Sequence, residues 1–552
     1  MANPSRSALD LIRNFSAVGI ALSSEKDNSR LMELILGSAR ELTSADGGTL
    51  YTRTDDDELR FEIMHTDSLG LRLGGSSGTP IRLPALPLYG RDGAPNDHMV
   101  AARAAVTGET VNVPDAYDAP GFDFSGTRAF DERTGYRSKS FLTVPMRNHE
   151  DEVIGVLQLI NALDDAGAVR AFGAQDQLIV ESLASQAAIA LTKKRLIDEQ
   201  RELFEAFIEL IAAAIDDKSP YTGGHCRRVP ELTMMLAEAA AAVDYGPLRE
   251  FAMTEADRYE LRIAGWLHDC GKVTTPEYVV DKATKLETIF DRIALVDTRF
   301  EVMRRDAELR CLRARVAALE SGRPHDAAAA ERALREELRA LDEARAFLHR
   351  ANKGGESMSA DDQARVREIG RWRWSGPDGE ERDFLSEEEV ANLTIARGTL
   401  RPEEREVINH HIVATIKMLE ALPYPKHLRR VPEFAGGHHE RMDGRGYPRG
   451  LTREQMSVQA RVMGIADIFE ALTAADRPYK DPMPLSQALA ILGRMKTDHH
   501  VDPDLFDVFV REKVYLRYAE RFLPPEQIDD VDPARIPGFD HRGVDASREG
   551  PR

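Results

Sequence analysis

Only three of the 552 residues are cysteines, Cys226, Cys270 and Cys311, and no two of them form a C-x-x-C pair. That usage excludes a disulfide-stapled scaffold and suits a reducing compartment. Positive charge is also in deficit, with 73 Lys and Arg against 93 Asp and Glu. An acidic surface repels polyanions at long range, so neither a nucleic acid polymer nor an anionic membrane is expected as a partner. A few local cations could still hold a small phosphate ligand. No apolar run approaches the roughly 20 residues that span a bilayer. The opening MANPSRSALDLIRNF lacks the apolar core of a signal peptide. The expectation is a soluble, cytoplasmic protein of roughly two to four domains, each long enough to bury a core.

What is present begins with a short helix around Leu9 to Ile20 and a polar loop at Ser23 to Asn28, a segment 1–28 of unreadable role. From Arg30 the pattern becomes helix, strand, strand: LMELILGSARELT has helical spacing, while GGTLYTR and LRFEIMH alternate. The Gly-rich stretch 70–78 is expected to break them. SFLTVPMR and VIGVLQLIN add two apolar strands around a turn at His149 to Glu152, which makes this a mixed α/β domain with an antiparallel sheet. Residues 176–215 then predict one long helix. On it Ile197, Phe204, Ile208, Ile211 and Ile215 suggest a heptad-like seam that pairs with the same helix of a second subunit.

The second half is organised around HHERMDGRGYP at 438–448. Adjacent side chains on a helix point about 100° apart, so His438 and His439 are better placed at a helix end, serving two ions, than gripping one from mid-helix. Upstream stand YTGGH ending at His225, HDCGK with His268 and Asp269, and His411; downstream stands Asp467 in IADIFEALT. Imidazoles with carboxylates form a donor set that suits Fe, Mn or Zn. Asp269 is the expected bridging ligand, because a carboxylate has two oxygens to share and an imidazole one useful nitrogen.

These blocks, over about 201–283 and 399–525, resemble the HD-GYP family of bacterial cyclic dinucleotide phosphodiesterases. The resemblance implies an all-α domain whose helices carry His225, His268, Asp269, His411, His438, His439 and Asp467 as ligands of two divalent metal ions, iron first and manganese second. A third metal would need a glutamate where Tyr221 stands. The same resemblance implies Lys272 as a catalytic cation or proton donor, Arg477 and Lys480 as phosphate contacts, and Asp443, Gly446 and Tyr447 in a substrate-side loop. Glu440 is expected to orient a ligating histidine. His410 should be an exposed neighbour of His411, and the pair His499 and His500 matches no motif of the family. The implied reaction is hydrolysis of cyclic di-GMP to pGpG and onward to GMP. Cyclic GMP-AMP is an alternative substrate, and a non-catalytic binding or interaction scaffold is the alternative from another class.

FDFSGTRAFDERTGYRSKSFLTVPM followed by DEVIGVLQLIN resembles GAF domains over roughly 29–194. Asn161, Phe172 and Asp176 match part of the signature of cyclic-nucleotide-binding members. Ala162 and Gln177 stand where that signature has Lys and Glu, so the expected role is dimerisation or the sensing of another small molecule.

Between the two family segments about a hundred residues intervene. Leu309, Leu312, Val316 and Leu319 form one stripe, and Leu334, Leu338, Leu341 and Leu348 another, which predicts an antiparallel helical hairpin able to meet a protein partner. Trp372 and Trp374 are expected in the core of a small hairpin. The expected organisation is a segment 1–28, a GAF-like domain 29–178, a connecting helix 179–215, an HD-GYP domain 216–283 and 399–525, a helical insertion 284–398, and a disordered tail 526–552. A homodimer through the GAF domain and connecting helix completes the expectation.

Overall fold

The computed structural model describes residues 8–25, 27–218, 224–322, 326–355, 357–474 and 483–540. The chain divides into two compact units between Phe204 and Glu205.

In the first unit, helices α1 (Ala8–Ser24) and α2 (Asn28–Thr43) precede strands β1 (Ala45–Arg53), β2 (Glu58–Thr66), β3 (Leu71–Gly74) and β4 (Leu86–Pro87). Then come α3 (Val100–Thr107), β5 (Val111–Val113), α4 (Ser125–Thr134), β6 (Phe141–Arg147), β7 (Val153–Leu163) and β8 (Val169–Arg170). The sheet is antiparallel, in the order β3-β2-β1-β7-β6-β5, with β4 on β2 and β8 on β7. Alternation assigns its faces: Leu50, Ile63, Leu142, Leu157 and Leu159 are buried against Ile35, Leu36 and Ala39 of α2 and against Val180, Leu183 and Ala187. On the other face Tyr51, Leu59 and Val156 pack with Ala101, Ala104 and Ala105 of α3. The stretch 70–78 is not only a break, since Leu71–Gly74 pairs with Ile63–Thr66 before Gly74 turns the chain at φ 74°.

Helix α5 (Ala174–Lys218) is continuous over 45 residues, as the sequence pattern predicts. The predicted seam is divided in two. Ile208 and Ile215 are buried with Ala212 in the core of the second unit, whereas Ile197, Phe204 and Ile211 are exposed. The exposed apolar residues recur every seven in two adjacent rows, Ile189, Leu196, Leu203 and Leu210 beside Ile197, Phe204 and Ile211, which together form one exposed set against the buried one. The two sets lie on different faces of one helix, and counting apolar positions alone merged them.

The second unit opens with α6 (His225–Ala241), α7 (Glu255–Leu267) and α8 (Glu277–Val280). The intervening segment forms α9 (Ile293–Ser321), α10 (Ala327–Asn352), α11 (Ala360–Gly370), the hairpin β9 (Arg373–Ser375) and β10 (Glu381–Asp383), and α12 (Glu387–Leu393). Helices α13 (Pro402–Glu420), α14 (Val431–Gly436), α15 (Val458–Thr473), α16 (Leu485–Thr497), α17 (Pro503–Arg511) and α18 (Val514–Phe522) complete it. A capping box at Thr254 and Asp257 starts α7. One core joins α6, α7, α14, α15, α16, α17 and α18 through Leu232, Leu236, Leu261, Phe434, Phe469, Leu489, Phe509 and Tyr518.

The intervening segment has a core of its own, in which Val296 and Phe300 of α9 meet Leu341, Phe347 and Leu348 of α10 and Phe384 and Leu393, with Met303, Trp372 and Trp374 packed on it. Leu309, Leu312, Val316 and Leu319 do not face α10, because they are exposed on the opposite side of α9. The tail also departs from expectation: Ile536 and Phe539 are buried in the main core and Gln527 donates to the carbonyls of Thr473 and Met483, so residues 526–540 are ordered. Two apolar anchors suffice for that, although composition around them is polar and rich in Pro and Gly.

Candidate metal centre

Three of the ligand-type histidines are placed by a local device and His225 by a distant carboxylate. His268 caps the C-terminus of α7 and donates from Nδ1 to the Gly265 carbonyl at 2.7 Å. His411, inside α13, donates to Ile408 O at 2.5 Å, and His438, just past α14, to Ala435 O at 2.6 Å. All three use the carbonyl three residues back, which fixes the ring and turns Nε2 inward. His225 begins α6. Its Nδ1 is bonded to the buried Glu470, which also accepts from Arg228 at 2.7 Å. Asp216 of α5 accepts the Cys226 N–H through both oxygens, at 3.1 and 3.2 Å, and so anchors the start of that helix.

Asp269 immediately precedes the 3₁₀ turn Cys270–Thr274, with its carboxylate free of any capping bond to it. Gly271 in that turn donates to Thr415 Oγ1 at 2.8 Å, and a Cβ there would lie 2.0 Å from His411 O and 2.5 Å from Thr415 N. Gly271 therefore serves close packing on α13, not helix termination, and it is what brings Asp269 beside His411.

Two groups result: His225, His268, Asp269 and Asp467 in one, and His411, His438 and His439 in the other, with the ligand atoms of each group within 4.8 Å of one another. His225 Nε2 lies 3.2 Å from Asp269 Oδ2, 3.3 Å from Asp467 Oδ1 and 3.3 Å from His268 Nε2. His439 Nε2 lies 3.1 Å from His411 Nε2, which is 3.4 Å from Asp269 Oδ1. Asp269 thus turns one oxygen to each group. Two buried atoms, Asp269 Oδ1 and His438 Nε2, have no hydrogen-bond partner among the described residues. Burying such atoms costs free energy unless something satisfies them, and a cation would. Donor spacings just above 3 Å are those around an ion bound at roughly 2.0–2.2 Å. All seven residues fit a pair of metal ions.

Charge is unevenly distributed. Burial opposes protonation of His268, but Asp269 and Asp467 outweigh it and push its pKa up to about 9. Burial and then the neighbouring His268 push His438 down to about 4. Burial raises the carboxyl of Asp269, yet Lys272 and His268 hold it well below the usual range. Lys272 Nζ lies 2.6 Å from Asp269 Oδ2 at the partly exposed edge of the site. Lys218, at the end of α5, donates to the carbonyls of Lys272, Val273 and Thr275 at 3.1, 2.5 and 2.7 Å.

The Gly-rich loop closes one side. Tyr447 stacks on His439 at 4.8 Å between centroids, and burial pushes its phenol up to about 12. A Cβ on Gly446 would lie 2.3 Å from Arg441 N. Asp443 pairs with Arg441 at 3.0 Å and accepts the Arg445 N–H at 3.0 Å, so it shapes the turn. Glu440 orients no histidine: its oxygens accept the Arg449 and Leu451 N–H groups at 2.7 and 2.9 Å. The fully buried Asp502 accepts from Arg453 at 2.8 Å and from Arg461, tying this loop to α15, which carries Asp467. His410 is exposed, and the carbonyls of His499 and His500 accept the Asp443 and Met442 N–H groups. Arg477, Lys480 and Tyr221 lie outside the described residues.

Glu470 was missed by sequence reading although it stands one turn after Asp467 on an otherwise apolar helix face, which was the available signal. Replacing Glu470 by alanine frees the His225 ring, and metal affinity is expected to fall about 10- to 100-fold, measured by competition with a chromogenic chelator.

In the first unit a cavity of about 320 Å³ is lined by Tyr51, Phe61, Met64, Phe124, Tyr136 and Gln158 among others. Asn161 instead holds the Lys139 and Ser140 N–H groups, Phe172 is in the core and Asp176 pairs with Arg170. The three signature residues serve the fold. No helix among the described residues is long and apolar enough to cross a membrane.

The GAF domain family matches residues 27–191, and the HD domain family matches 222–351 and 388–505. A 3'3'-cGAMP-specific phosphodiesterase of Vibrio cholerae, phosphodiesterase 3, is 26% identical over 330 residues, 59% of this chain and 42% of that protein. Phosphodiesterase 1 of the same specificity and organism is 46% identical over 81 residues, 15% of this chain and 19% of that protein. A cyclic di-GMP phosphodiesterase of Thermotoga maritima is 34% identical over 131 residues, 22% of this chain and 35% of that protein. The chain spans less than half the length of each of these relatives. The three ligand-type residues at 225–269 fall in one HD match and the four at 411–467 in the other. The chain therefore carries a GAF domain at 27–191 followed by HD-domain sequence at 222–351 and 388–505, and the seven converging side chains lie within the latter.

Proposed function

We propose that the second unit is a metal-dependent phosphodiesterase of the HD-GYP type that hydrolyses a cyclic dinucleotide, cyclic di-GMP to pGpG and onward to GMP. The observation that carries this is the pair of ligand groups joined by Asp269, whose two oxygens face opposite groups. Two divalent ions held there would acidify a water and neutralise phosphoryl oxygens. The mixed imidazole and carboxylate set favours iron, then manganese. Lys272, fixed by Asp269 at the edge of the site, meets a phosphate oxygen and protonates the departing 3′ oxygen as the P–O bond breaks. Gly446 and Tyr447 shape the substrate side of the site, with Arg477 and Lys480 as further phosphate contacts. Two Vibrio cholerae relatives named for 3'3'-cGAMP favour that dinucleotide as the second reading.

The GAF domain regulates this site from a cytoplasmic homodimer. Exposed Ile189, Leu196, Leu203 and Leu210 give α5 an apolar edge for pairing with its copy. The last turn of α5 holds both His225, through Asp216, and the Lys272 turn, through Lys218, so a shift of that helix moves both. Protein purified without oxygen and loaded with iron or manganese is expected to linearise cyclic di-GMP or 3'3'-cGAMP, followed by chromatography of the products. Absence of cleavage of either nucleotide with both metals would sink the hydrolase reading and leave the scaffold.

A further inference from the structure

Helix α9 is much longer than its core requires. Its body-facing side carries Val296, Phe300 and Met303, with the buried Ala307 one turn further on. About 180° away, Leu309, Leu312, Val316 and Leu319 remain 44%, 56%, 51% and 74% exposed. Their spacing of three, four and three fits a heptad in which Leu309 and Val316 take a, and Leu312 and Leu319 take d. Leu295 and Val302 extend position a by sevens towards the base of the helix, but Thr298 and Arg305 occupy d there and end the apolar seam.

We propose that the outer face of α9 is a second self-association surface, on which the same helix of another copy of this chain lies parallel and in register. Charge decides both the occupant and the direction. In a parallel pair, position g of one helix meets e of the other five residues on. Glu308 then meets Arg313 and Arg315 meets Glu320, on both sides of the seam, and all four residues are exposed. The antiparallel arrangement that covers the same leucines sets Arg313 and Arg315 against their own copies, and like charges there are destabilising. One heptad nearer the base, Glu301 would meet Asp306, which confines the pairing to the outer half of the arm. A seam of two heptads is marginal alone. Any other contact between the copies raises the effective concentration of one arm for the other.

The full chain with Cys311→Ser and Leu312→Cys, mildly oxidised, is expected to form a disulfide-linked dimer at least tenfold faster than Cys311→Ser with Ala314→Cys, whose cysteine sits away from the seam. Cross-linking reports on this surface whether or not the chain also dimerises through α5. In the Leu312→Cys background, Glu308→Arg or Arg313→Glu alone should slow cross-linking about three- to fivefold, and the two together should restore it. Equal rates for the two cysteine positions would overturn the proposal and point to a helix of another protein as occupant. Faster cross-linking that the double exchange fails to restore would overturn the parallel register.

Discussion

Replacing Gly271 by alanine is expected to cost about 3 kcal/mol of stability and to lower the melting temperature of the second unit by roughly 6–12 °C. The added methyl would stand 2.0 Å from His411 O and 2.5 Å from Thr415 N. Both are backbone atoms of α13, which no rotamer change can move aside. The 3₁₀ turn must therefore lift away, and it carries Asp269 and Lys272 with it. Loss of stability should come with loss of bound metal, read by elemental analysis of the purified variant. Gly37→Ala is the matched control, since nothing lies within 4 Å of a Cβ in that helix. An equal and small effect of both substitutions would show that α13 and the turn are free to separate.

Gly271 also marks the limit of what the residues alone disclose. The sequence contained the HD turn, and its neighbours predicted a helix ending there. That the glycine faces the backbone of His411 and Thr415 follows only from the packing of the turn on α13. The candidate ligands stood out in short blocks such as HDCGK and HHERMDGRGYP, and three of them also sit in a local frame, since His268, His411 and His438 bond the carbonyl three residues back. Such frames survive the long segment inserted between them. Glu470 was less legible, since one carboxylate on an apolar helix face has no short-range partner to announce it; His225 stands 245 residues away.

The strands of the first unit followed from alternation in β1 and β2 and from the apolar runs of β6 and β7, which are buried on both faces. Period gives a stripe, though, and not the neighbour that covers it. Leu309 to Leu319 were paired with α10 on spacing, whereas α10 turns Leu341 and Leu348 to a core that α9 meets with Val296 and Phe300. The same ambiguity merged the two faces of α5, where Ile208 and Ile215 belong to a core and Leu203 and Leu210 to the surface. In the tail, Ile536 and Phe539 were too sparse to outweigh a polar composition.

Asp269→Asn keeps the volume and one oxygen of the side chain but removes the charge that both ligand groups share. Turnover is expected to fall by at least about a hundred- to a thousand-fold, beyond the loss typical of a residue that only supports a ligand. Metal content should fall from two ions per chain towards one or fewer. The comparison that isolates the shared role is His439→Gln, which alters only the group of His411, His438 and His439. That variant should retain about one ion, held by His225, His268, Asp269 and Asp467. Asp269→Asn should do worse than His439→Gln in both readouts, because Oδ2 faces His225 and His268 while Oδ1 faces His411. It also leaves Lys272 without the carboxylate that positions it at 2.6 Å. If Asp269→Asn bound as much metal as the parent and turned over substrate within tenfold of it, the carboxylate would bridge nothing, and the two groups would have to work as separate sites.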